Sequence, residues 1–473
     1  MTATIWATLA LPAVLGLLSL ALPRNPAVRH TPLLAALAVL GCGLAMLALH
    51  PSGQTAAMGL LRVDALTAYL VAVVGAVAVV ATGGATTAVP HGRFSALMCL
   101  FLAAMSLAVL ADNLGVLWVA VEATTITTAF LVAYGGGRAG LEAAWKYVVL
   151  GSVGVAIAFL GIVLLYAATG TSATLSWVEL SNGHELADTA RIGLALAVLG
   201  LATKAGLAPM HSWLPDAHSQ APAQVSGLMS GVLLSVAFAG VLRLKAIADA
   251  ALGPELMRTL LTIAGLLSLL VAATLVLTQR NFKRLLAYSS IEHMGIIALG
   301  AAIGGPLATA AVLLHILGHG LAKAGLFVTA GRTLAATGSH EIHDVHSLLT
   351  RAPSLARPWL AGTAALLGFP PFGLILTEIA IVVAGFQRGM VWVTSAALVL
   401  LLLAFAGIAR HVLAMTLTRH DPPTVPAMGP DPATRMQRAV VLAGLALVAL
   451  LPALAWPLAG ALTAAAGVLG VAP

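Results

Sequence analysis

Long apolar runs recur along the whole chain, from Ile5 to its C-terminal end, and short polar clusters separate them. A transmembrane helix needs about 20 consecutive apolar residues, and this chain supplies such runs repeatedly. Only 8% of the 473 residues are charged and 60% are hydrophobic, whereas roughly 25% of the residues in a soluble domain are charged. These features exclude a soluble enzyme and predict an all-α polytopic membrane protein.

The distribution of apolar runs and basic loops predicts the topology. Hydropathy, with turn residues as boundaries, predicts about 14 transmembrane helices. Arg24 and Arg29 follow the first run and no basic residue precedes it, so we expect a first span rather than a cleaved signal peptide. Roughly fifteen of the 23 Lys and Arg residues lie in or beside odd-numbered loops. We therefore expect a multi-pass protein of the cell inner (plasma) membrane with both termini on the non-cytoplasmic side.

Two predicted spans, the seventh and the twelfth, contain residues that interrupt a helix. Pro209 follows Lys204 in the seventh, and the sequence GFPPFG at 368–373 precedes Glu378 in the twelfth. Interrupted helices at matching positions of two halves are typical of inverted-repeat transporters. We therefore predict two inverted five-helix repeats. The predicted parts are 1–93 (an N-terminal three-helix segment), 94–245 (helices 4–8), 256–417 (helices 9–13) and 438–473 (a C-terminal helix).

Ionisable residues within these spans are few. Each costs at least about 2.5–3.5 kcal/mol if it faces hydrocarbon, so each should face protein or water. Two histidines and a lysine at four-residue intervals share one helical face, and histidines titrate near neutrality. The predicted proton pathway consists of Glu122, Lys204, His315, His319, Lys323 and Glu378. The alternatives are a structural ion pair for the first two residues and a structural polar seam for the histidine–lysine face.

Two further ionisable residues, Lys146 and Glu292, are also candidates for the pathway. Lys146 follows Glu142 by four residues, a spacing that equally predicts an ordinary ion pair within one helix. Glu292 lies near the start of a predicted helix on the cytoplasmic side, where a capping role is the alternative.

Two sequence patterns resemble ligand sites but lack the required context. The glycines of GGGRAG at 135–140 follow a membrane helix, with no strand to form a dinucleotide-binding unit. His340, His343 and His346 lie in a predicted cytoplasmic loop without the HExxH spacing, so we expect a solvated loop.

The cysteine content and the distribution of charge exclude further classes of function. Cys42 and Cys99 lie in or beside apolar runs, so no disulfide framework or thiolate set for haem or iron–sulfur clusters is expected. The net charge of +7 comes from loops that orient the chain, so we expect no nucleic-acid binding. We expect no cofactor, no metal and no catalytic centre of its own, and any redox chemistry must belong to a partner.

Several segments resemble a known family. They are EATTITTAFLVAY, EAAWKYVVLGSVGVA, TKAGLAPMHSWLPDAHSQAPAQVSGLMSGVLLS, QRNFKRLLAYSSIEHMGIIALG, LLHILGHGLAKAGLF and GFPPFGLILTE. The chain resembles the antiporter-like membrane subunits shared by respiratory complex I, multisubunit sodium/proton antiporters and membrane-bound group 4 nickel–iron hydrogenases. The first two segments look most like the F component of hydrogenase-4.

The resemblance implies roles for individual residues. It implies a fourteen-helix plan in which Glu122 on helix five pairs with Lys204 on broken helix seven. Many complex I relatives have a lysine where this chain has Ser235, so a serine with water would have to bridge the pathway there. The hydrogenase-like branch usually has an aspartate where this chain has Asn281.

The resemblance also implies a function. We expect a proton-translocating membrane subunit of a redox-driven complex, like hydrogenase-4/formate hydrogenlyase or the complex I-type NADH:quinone oxidoreductase. Its partners would be other membrane subunits, a cytoplasmic redox module and the lipid bilayer. The alternatives are a subunit of a multisubunit cation/proton antiporter without redox coupling, and a structural anchor whose ionisable residues are relics.

Overall fold

The computed structural model describes residues 1–86, 91–170, 173–182, 186–417 and 428–471, and these ranges are mostly helical. Twelve of the described helices are long and apolar enough to cross a membrane. The chain is an all-α, multi-pass membrane protein, as its apolar runs predict.

The helices occur in the following order along the chain. The first seven are α1 Thr2–Ala21, α2 Thr31–Ala48, α3 Ala65–Gly83, α4 His91–Leu110, α5 Leu114–Ala133, α6 Gly137–Ala168 and the short α7 Trp177–Ser181. The next are α8 Thr189–Lys204, α9 Trp213–Gln220, α10 Ala223–Leu228, α11 Leu234–Leu252, α12 Glu255–Val276, α13 Phe282–Ile303 and α14 Gly305–Thr337. The last are α15 Leu348–Arg351, α16 Pro353–Leu366, α17 Leu374–Gln387, α18 Val391–Leu417 and α19 Arg435–Val468. An antiparallel hairpin between α2 and α3 consists of β1 Gln54–Ala56 and β2 Leu61–Val63.

Two membrane segments are interrupted at the places that the prolines predict. The first lies between α8, which ends at Lys204, and α9, which begins at Trp213. The second lies between α16, which ends at Leu366, and α17, which begins at Leu374. Counting each interrupted segment as one crossing would add two to the twelve uninterrupted helices of the described ranges. The count of fourteen and the inverted repeat stay predictions.

The eighth predicted span is longer than hydropathy indicates. Helices α10 and α11 are joined by one π-helical turn, Met229–Leu233, and together they form a continuous rod. The helix passes position 245 and ends at Leu252, because Gly253 has a φ of 79°, which favours glycine. A π-turn in a helix often lies at a functional site.

An Asp and an Asn side chain set the beginnings of two membrane helices. The side chain of Asp64 accepts a hydrogen bond from Thr67 N at 2.8 Å at the start of α3. Asn113 does the same for α5, accepting from Gly115 N at 2.9 Å. Such caps satisfy backbone N–H groups that have no partner inside the helix. The helix ends are thus fixed by residues next to the polar loops.

Burial divides the helices into a central and a peripheral set. In the α10–α11 rod, α13 and α14, 100% of the residues of the apolar membrane stretch are buried within the protein. In α1, α18 and α19 that share is 28%. Polar side chains on the central helices therefore face protein rather than lipid, which lowers the cost of placing them in the membrane.

Candidate functional site

Lys204 is the last residue of α8 and is completely buried. Its Nζ donates a hydrogen bond to Thr125 Oγ1 on α5 at 2.8 Å and another to the hydroxyl of Tyr147 on α6. The same Nζ lies 4.4 Å from the centre of the Tyr147 ring. Three helices thus converge on one amino group at the helix break.

Close packing of α6 against α8 places Tyr147 beside this lysine. A Cβ atom at Gly154 would lie 2.5 Å from the Cβ atom of Thr203, a distance that real Cβ atoms do not reach. The glycine therefore lets the two helices approach directly beside the break. The hydroxyl of Tyr147 also lies 2.5 Å from Thr128 Oγ1, so hydroxyl groups extend away from the lysine.

Glu122 lies on α5 one turn from Thr125 but does not bond to the lysine directly. Its Oε1 accepts a hydrogen bond from Ser152 at 3.1 Å, and its buried Oε2 has no hydrogen-bond partner among the described residues. The predicted structural ion pair of Glu122 and Lys204 is thus not a direct contact. The lysine is surrounded by hydroxyl groups, with the carboxylate one step away.

Lys323 on α14 is the second completely buried lysine. Its Nζ donates to the carbonyl oxygen of Leu286 at 2.8 Å and to the hydroxyl of Ser289, both on α13. The neighbouring Ser290 bonds to Ser230 in the π-helical turn, with 2.7 Å between the two hydroxyl oxygens. No hydrogen bond among the described residues joins this group to the Lys204 group, so ordered water would have to connect them.

Three buried histidines form a group on α13 and α14. His293 Nδ1 lies 3.0 Å from His315 Nε2, and His315 Nδ1 lies 2.8 Å from Thr377 Oγ1 on α17. The ring of His319 lies 5.0 Å from that of His293, centre to centre, and neither of its nitrogens has a hydrogen-bond partner in the described part of the chain.

Glu378 and Glu292 line one cavity of about 340 Å³ beside the histidines, with otherwise apolar walls. Glu292 is 5% exposed and its Oε2 has no hydrogen-bond partner among the described residues. The capping alternative for Glu292 is wrong, because Asn281 caps α13 by accepting a hydrogen bond from Lys283 N at 2.9 Å. Glu292 instead lies well inside the helix.

The other two candidates for the pathway, Lys146 and Ser235, differ in burial. Lys146 lies on the surface and forms the ion pair within α6 that its spacing allows, with 2.7 Å between Nζ and Glu142 Oε1. Its Nζ also lies 3.4 Å from Asp216 Oδ2. Ser235 is buried on α11, and its hydroxyl has no hydrogen-bond partner within the described ranges.

The loop histidines do not gather into a ligand site. Among the described residues, the only group of histidine and carboxylate atoms close enough for a metal ion lies on α13, α14 and α17, not in this loop. His343 is 95% exposed and pairs with Asp344. Hydrogen bonds from Ser339 and His343 hold the pKa of the Asp344 carboxyl below its usual range.

Sequence reasoning missed three notable polar residues: Tyr147 and His293, which contact predicted residues, and the buried Lys283. The amino group of Lys283 donates to the carbonyl oxygens of Ser219 and Ala221, at 3.1 Å and 2.7 Å, where α9 ends. Each of the three lies in a segment that resembles the family, and a tyrosine hydroxyl or histidine in an apolar run signals a buried partner. The partner itself depends on how the helices rotate and pack.

We name the polar row as the buried and partly buried polar groups around the two lysines and the histidines: Glu122, Thr125, Tyr147, Lys204, Ser230, Ser289, Ser290, Glu292, His293, His315, His319, Lys323, Thr377 and Glu378. It combines amines, imidazoles, carboxylates and hydroxyls at membrane depth. Such groups can bind, release and pass protons.

Comparison with protein families gives one match. A family model described as the membrane domain of NADH:quinone oxidoreductase and the Mrp antiporter matches residues 111–404. That segment contains every residue of the polar row.

The chain is also similar in sequence to individual relatives and similar in fold to a solved structure. The chain is 37% identical over 307 residues to the hydrogenase-4 component F homolog of Methylacidiphilum infernorum, and the alignment spans 63% of either protein. It is 31% identical over 366 residues to NADH-quinone oxidoreductase subunit N of Desulforudis audaxviator, covering 73% of this chain and 72% of that relative. Its fold is similar, with a TM-score of 0.89 and 23% identity, to a chain of the membrane-bound sulfane sulfur reductase, an archaeal respiratory membrane complex. That match covers 100% of this chain and 98% of the other.

Proposed function

We propose that this chain, which belongs to the NADH:quinone oxidoreductase/Mrp antiporter membrane family, is a proton-translocating subunit of a redox-driven complex of the hydrogenase-4 or complex I type. The observation that carries the proposal is the pair of completely buried lysines, Lys204 and Lys323, each held by hydroxyl groups of neighbouring helices. A buried amine in a membrane protein is expensive, and such residues mark ion pathways.

The contacts of the polar row supply a physical route for protons. A proton on Lys204 can pass to the hydroxyls of Tyr147 and Thr128, and a proton on Lys323 can pass to the hydroxyl of Ser289. Hydroxyl groups both donate and accept hydrogen bonds, so they relay protons without a lasting charge. Ordered water would complete the gaps between the groups.

The proposed energy source lies outside this chain. Its partners would be other membrane subunits and a cytoplasmic redox module, by analogy with the relatives named as hydrogenase-4 and NADH-quinone oxidoreductase subunits. The analogy is to complexes in which electron transfer and proton movement occur in different subunits. The role of this chain would be the proton movement.

The orientation and internal repeat are part of the same proposal. The excess of basic residues in odd-numbered loops supports a position in the cell inner membrane with both termini on the non-cytoplasmic side. The two helix breaks, after Lys204 and after Leu366, support two halves at 94–245 and 256–417. Each half would hold one ion-exchange site beside its break.

Inverted membrane vesicles that contain the native complex test the redox coupling. We expect proton uptake into the vesicles when hydrogen, formate or NADH is supplied as electron donor, and none without a donor. Proton movement that follows a sodium gradient and ignores every donor would instead support the alternative, a cation/proton antiporter subunit. The subunits that co-purify provide an independent check: a nickel–iron subunit or a flavin-bearing NADH module supports redox coupling.

A further inference from the structure

The histidine group next to Glu378 has the composition of a metal site. His293, His315 and Glu378 each offer one ligand atom, and these three atoms lie within 4.8 Å of one another. Two imidazole nitrogens and one carboxylate are a common ligand set for divalent transition metals. The three residues lie on α13, α14 and α17, so an ion there would join three separate helices.

The hydrogen bonds leave one imidazole lone pair of the two histidines free for an ion and occupy a second one. Thr377 donates its hydroxyl hydrogen to the carbonyl oxygen of Leu374 at 2.7 Å, so its oxygen accepts from Nδ1–H of His315. His315 Nε2 therefore carries a lone pair, and Nδ1–H of His293 donates to it. The remaining lone pair of His293, on Nε2, is buried and has no hydrogen-bond partner among the described residues.

The contact of Thr377 with His315 matches a known support for metal ligands. A metal-binding histidine usually donates its other ring N–H to an oxygen acceptor, which fixes its orientation. The Thr377 oxygen occupies that place at 2.8 Å. The histidine is thus oriented as a metal ligand would be.

The neighbouring cavity supplies charge and access. Glu378 and Glu292 both line the cavity of about 340 Å³, so a second carboxylate lies on the same cavity as the proposed ligand Glu378. A metal site needs an entry path as well as ligands. This cavity provides one, because it reaches the carboxylate of Glu378 directly.

The spacing and the ligand types select among metal ions. Ligand atoms of a tetrahedral Zn²⁺ site lie roughly 3.3 Å apart, given bonds of about 2.0–2.1 Å. Side-chain rotations that shorten the present separations by about 1.5 Å would reach this geometry. Mg²⁺ and Ca²⁺ prefer sites made of oxygen atoms, so they fit this ligand set poorly.

We propose that His293, His315 and Glu378 form a binding site for a divalent transition-metal ion of the zinc type, and that the bound ion blocks proton movement along the polar row. A bound ion takes the free lone pair of His293 Nε2, takes that of His315 Nε2 once the hydrogen bond from His293 is broken, and ties α13, α14 and α17 together. The block of transport rests on the proposed function, whereas metal binding does not.

Zinc binding to the purified full-length chain tests the site. Equilibrium dialysis against Zn²⁺ should show one bound ion that excess Mg²⁺ does not displace. Zinc X-ray absorption should show two imidazole ligands with Zn–N bonds of about 2.0–2.1 Å. His293→Gln and Glu378→Gln should each weaken binding more than tenfold.

His411→Gln is the matched control. His411 is a buried histidine on α18 that bonds to the Val276 carbonyl oxygen at 3.1 Å, outside the cluster, so this variant should bind Zn²⁺ as the native chain does. Thermal unfolding of each variant shows that it is folded. Native-like zinc binding by both folded cluster variants, or no bound ion in the native chain, would overturn the site.

Proton uptake measured with and without Zn²⁺ tests the block separately. We expect micromolar Zn²⁺ to inhibit uptake by vesicles with the native complex, and Mg²⁺ to have no effect. Zinc that binds at the cluster without inhibiting proton uptake would overturn the proposed inhibition of transport. The proposed zinc-binding site would still stand. Absence of any donor-driven proton uptake would count against the proposed function. The dialysis experiment would still test zinc binding, because binding does not depend on proton transport.

Discussion

Lys204 is surrounded by hydroxyl groups rather than by a carboxylate. A direct ion pair at 4 Å is worth about 4 kcal/mol at an effective dielectric constant of 20. Such a pair would hold the proton on the lysine. With Thr125 and Tyr147 as its contacts and Glu122 beyond them, the amine can exchange its proton while the carboxylate still influences it.

We expect Glu122→Gln to reduce proton translocation strongly and Glu122→Asp to retain part of it. The glutamine keeps the size of the side chain and a hydrogen bond to Ser152 but removes the charge that attracts the protonated lysine. Proton uptake per electron in inverted vesicles measures the effect. Glu179→Gln, at an exposed position, is the control. Normal uptake by Glu122→Gln would mean that Glu122 has only a structural purpose.

Tyr147→Phe should also lower proton uptake per electron while the fold is kept. The change removes the hydroxyl that joins Lys204 to Thr128 but leaves the aromatic ring beside the amine. The lost hydrogen bonds should lower the free energy of unfolding by about 1–3 kcal/mol. Tyr166→Phe, at a residue that is 45% exposed, is the control. A native proton yield in Tyr147→Phe would exclude the hydroxyl from the route.

At the scale of secondary structure elements, the helix breaks decide where the charges lie. Lys204 is the last residue of α8, and the carbonyl groups at a helix C-terminus favour a positive charge. The break thus offers a favourable place for a cation within the membrane. The close contact of α6 and α8 at Gly154 brings the third helix to the same point.

Gly154→Ala should separate α6 from α8 and disturb the surroundings of Lys204. The added Cβ would meet Thr203 at 2.5 Å, so the helices must move apart. Such overpacking destabilises by about 1–3 kcal/mol. The unfolding temperature and the proton yield per electron should both fall. Gly151→Ala is the matched control one turn away, because its Cβ would lie 3.5 Å from Thr125, in ordinary contact. Equal behaviour of the two variants would contradict the packing argument.

A buried ion pair fixes the segment before α19 to α14. Nε of Arg332 lies 3.0 Å from Asp431 Oδ1, and both side chains are nearly inaccessible. Burial alone would raise the pKa of the Asp431 carboxyl, but the hydrogen bonds from Arg332 and the Ala433 backbone hold this pKa below its usual range. A lowered carboxyl pKa contributes stability above the unfolded value of about 4, and this contribution is lost as the pH falls below it.

Asp431→Asn should therefore lower the unfolding temperature at neutral pH. It should also make the unfolding temperature depend less on pH in the acidic range. Removing one partner of a buried ion pair costs about 3–5 kcal/mol, because the other charge stays buried. Unfolding temperatures measured between pH 3 and pH 7 provide the check. Asp188→Asn, at an exposed position before α8, is the control. An unchanged unfolding temperature at pH 7 would show that the pair does not stabilise the fold.

Much of the architecture follows from local sequence, but the contacts between helices do not. Apolar length predicts the membrane helices, and Pro209 predicts the break after Lys204, because both depend on neighbouring residues in the chain. Tyr147 and His293 escaped prediction because their partners lie on other helices. The capping role considered for Glu292 was wrong, because Asn281 starts the helix three turns earlier.

At the scale of the whole molecule, the part of the polar row from Ser230 to Lys323 lies on the most buried helices. The α10–α11 rod, α13 and α14 are enclosed by peripheral helices with large exposed apolar side chains. The central helices can therefore hold charges, while the outer ones face lipid or other subunits. This division is what a subunit needs if it moves protons and leaves electron transfer to a partner.

Proton yield per electron in Lys204→Ala is the most direct test of this account. Inverted vesicles with the native complex, this variant and Lys245→Ala would be compared during turnover. Lys245 pairs with Asp249 away from the polar row, so its replacement is the control. The account predicts that Lys204→Ala loses most proton uptake, that electron transfer stays measurable, and that Lys245→Ala resembles the native complex. An unchanged proton yield per electron in Lys204→Ala would contradict the central claim.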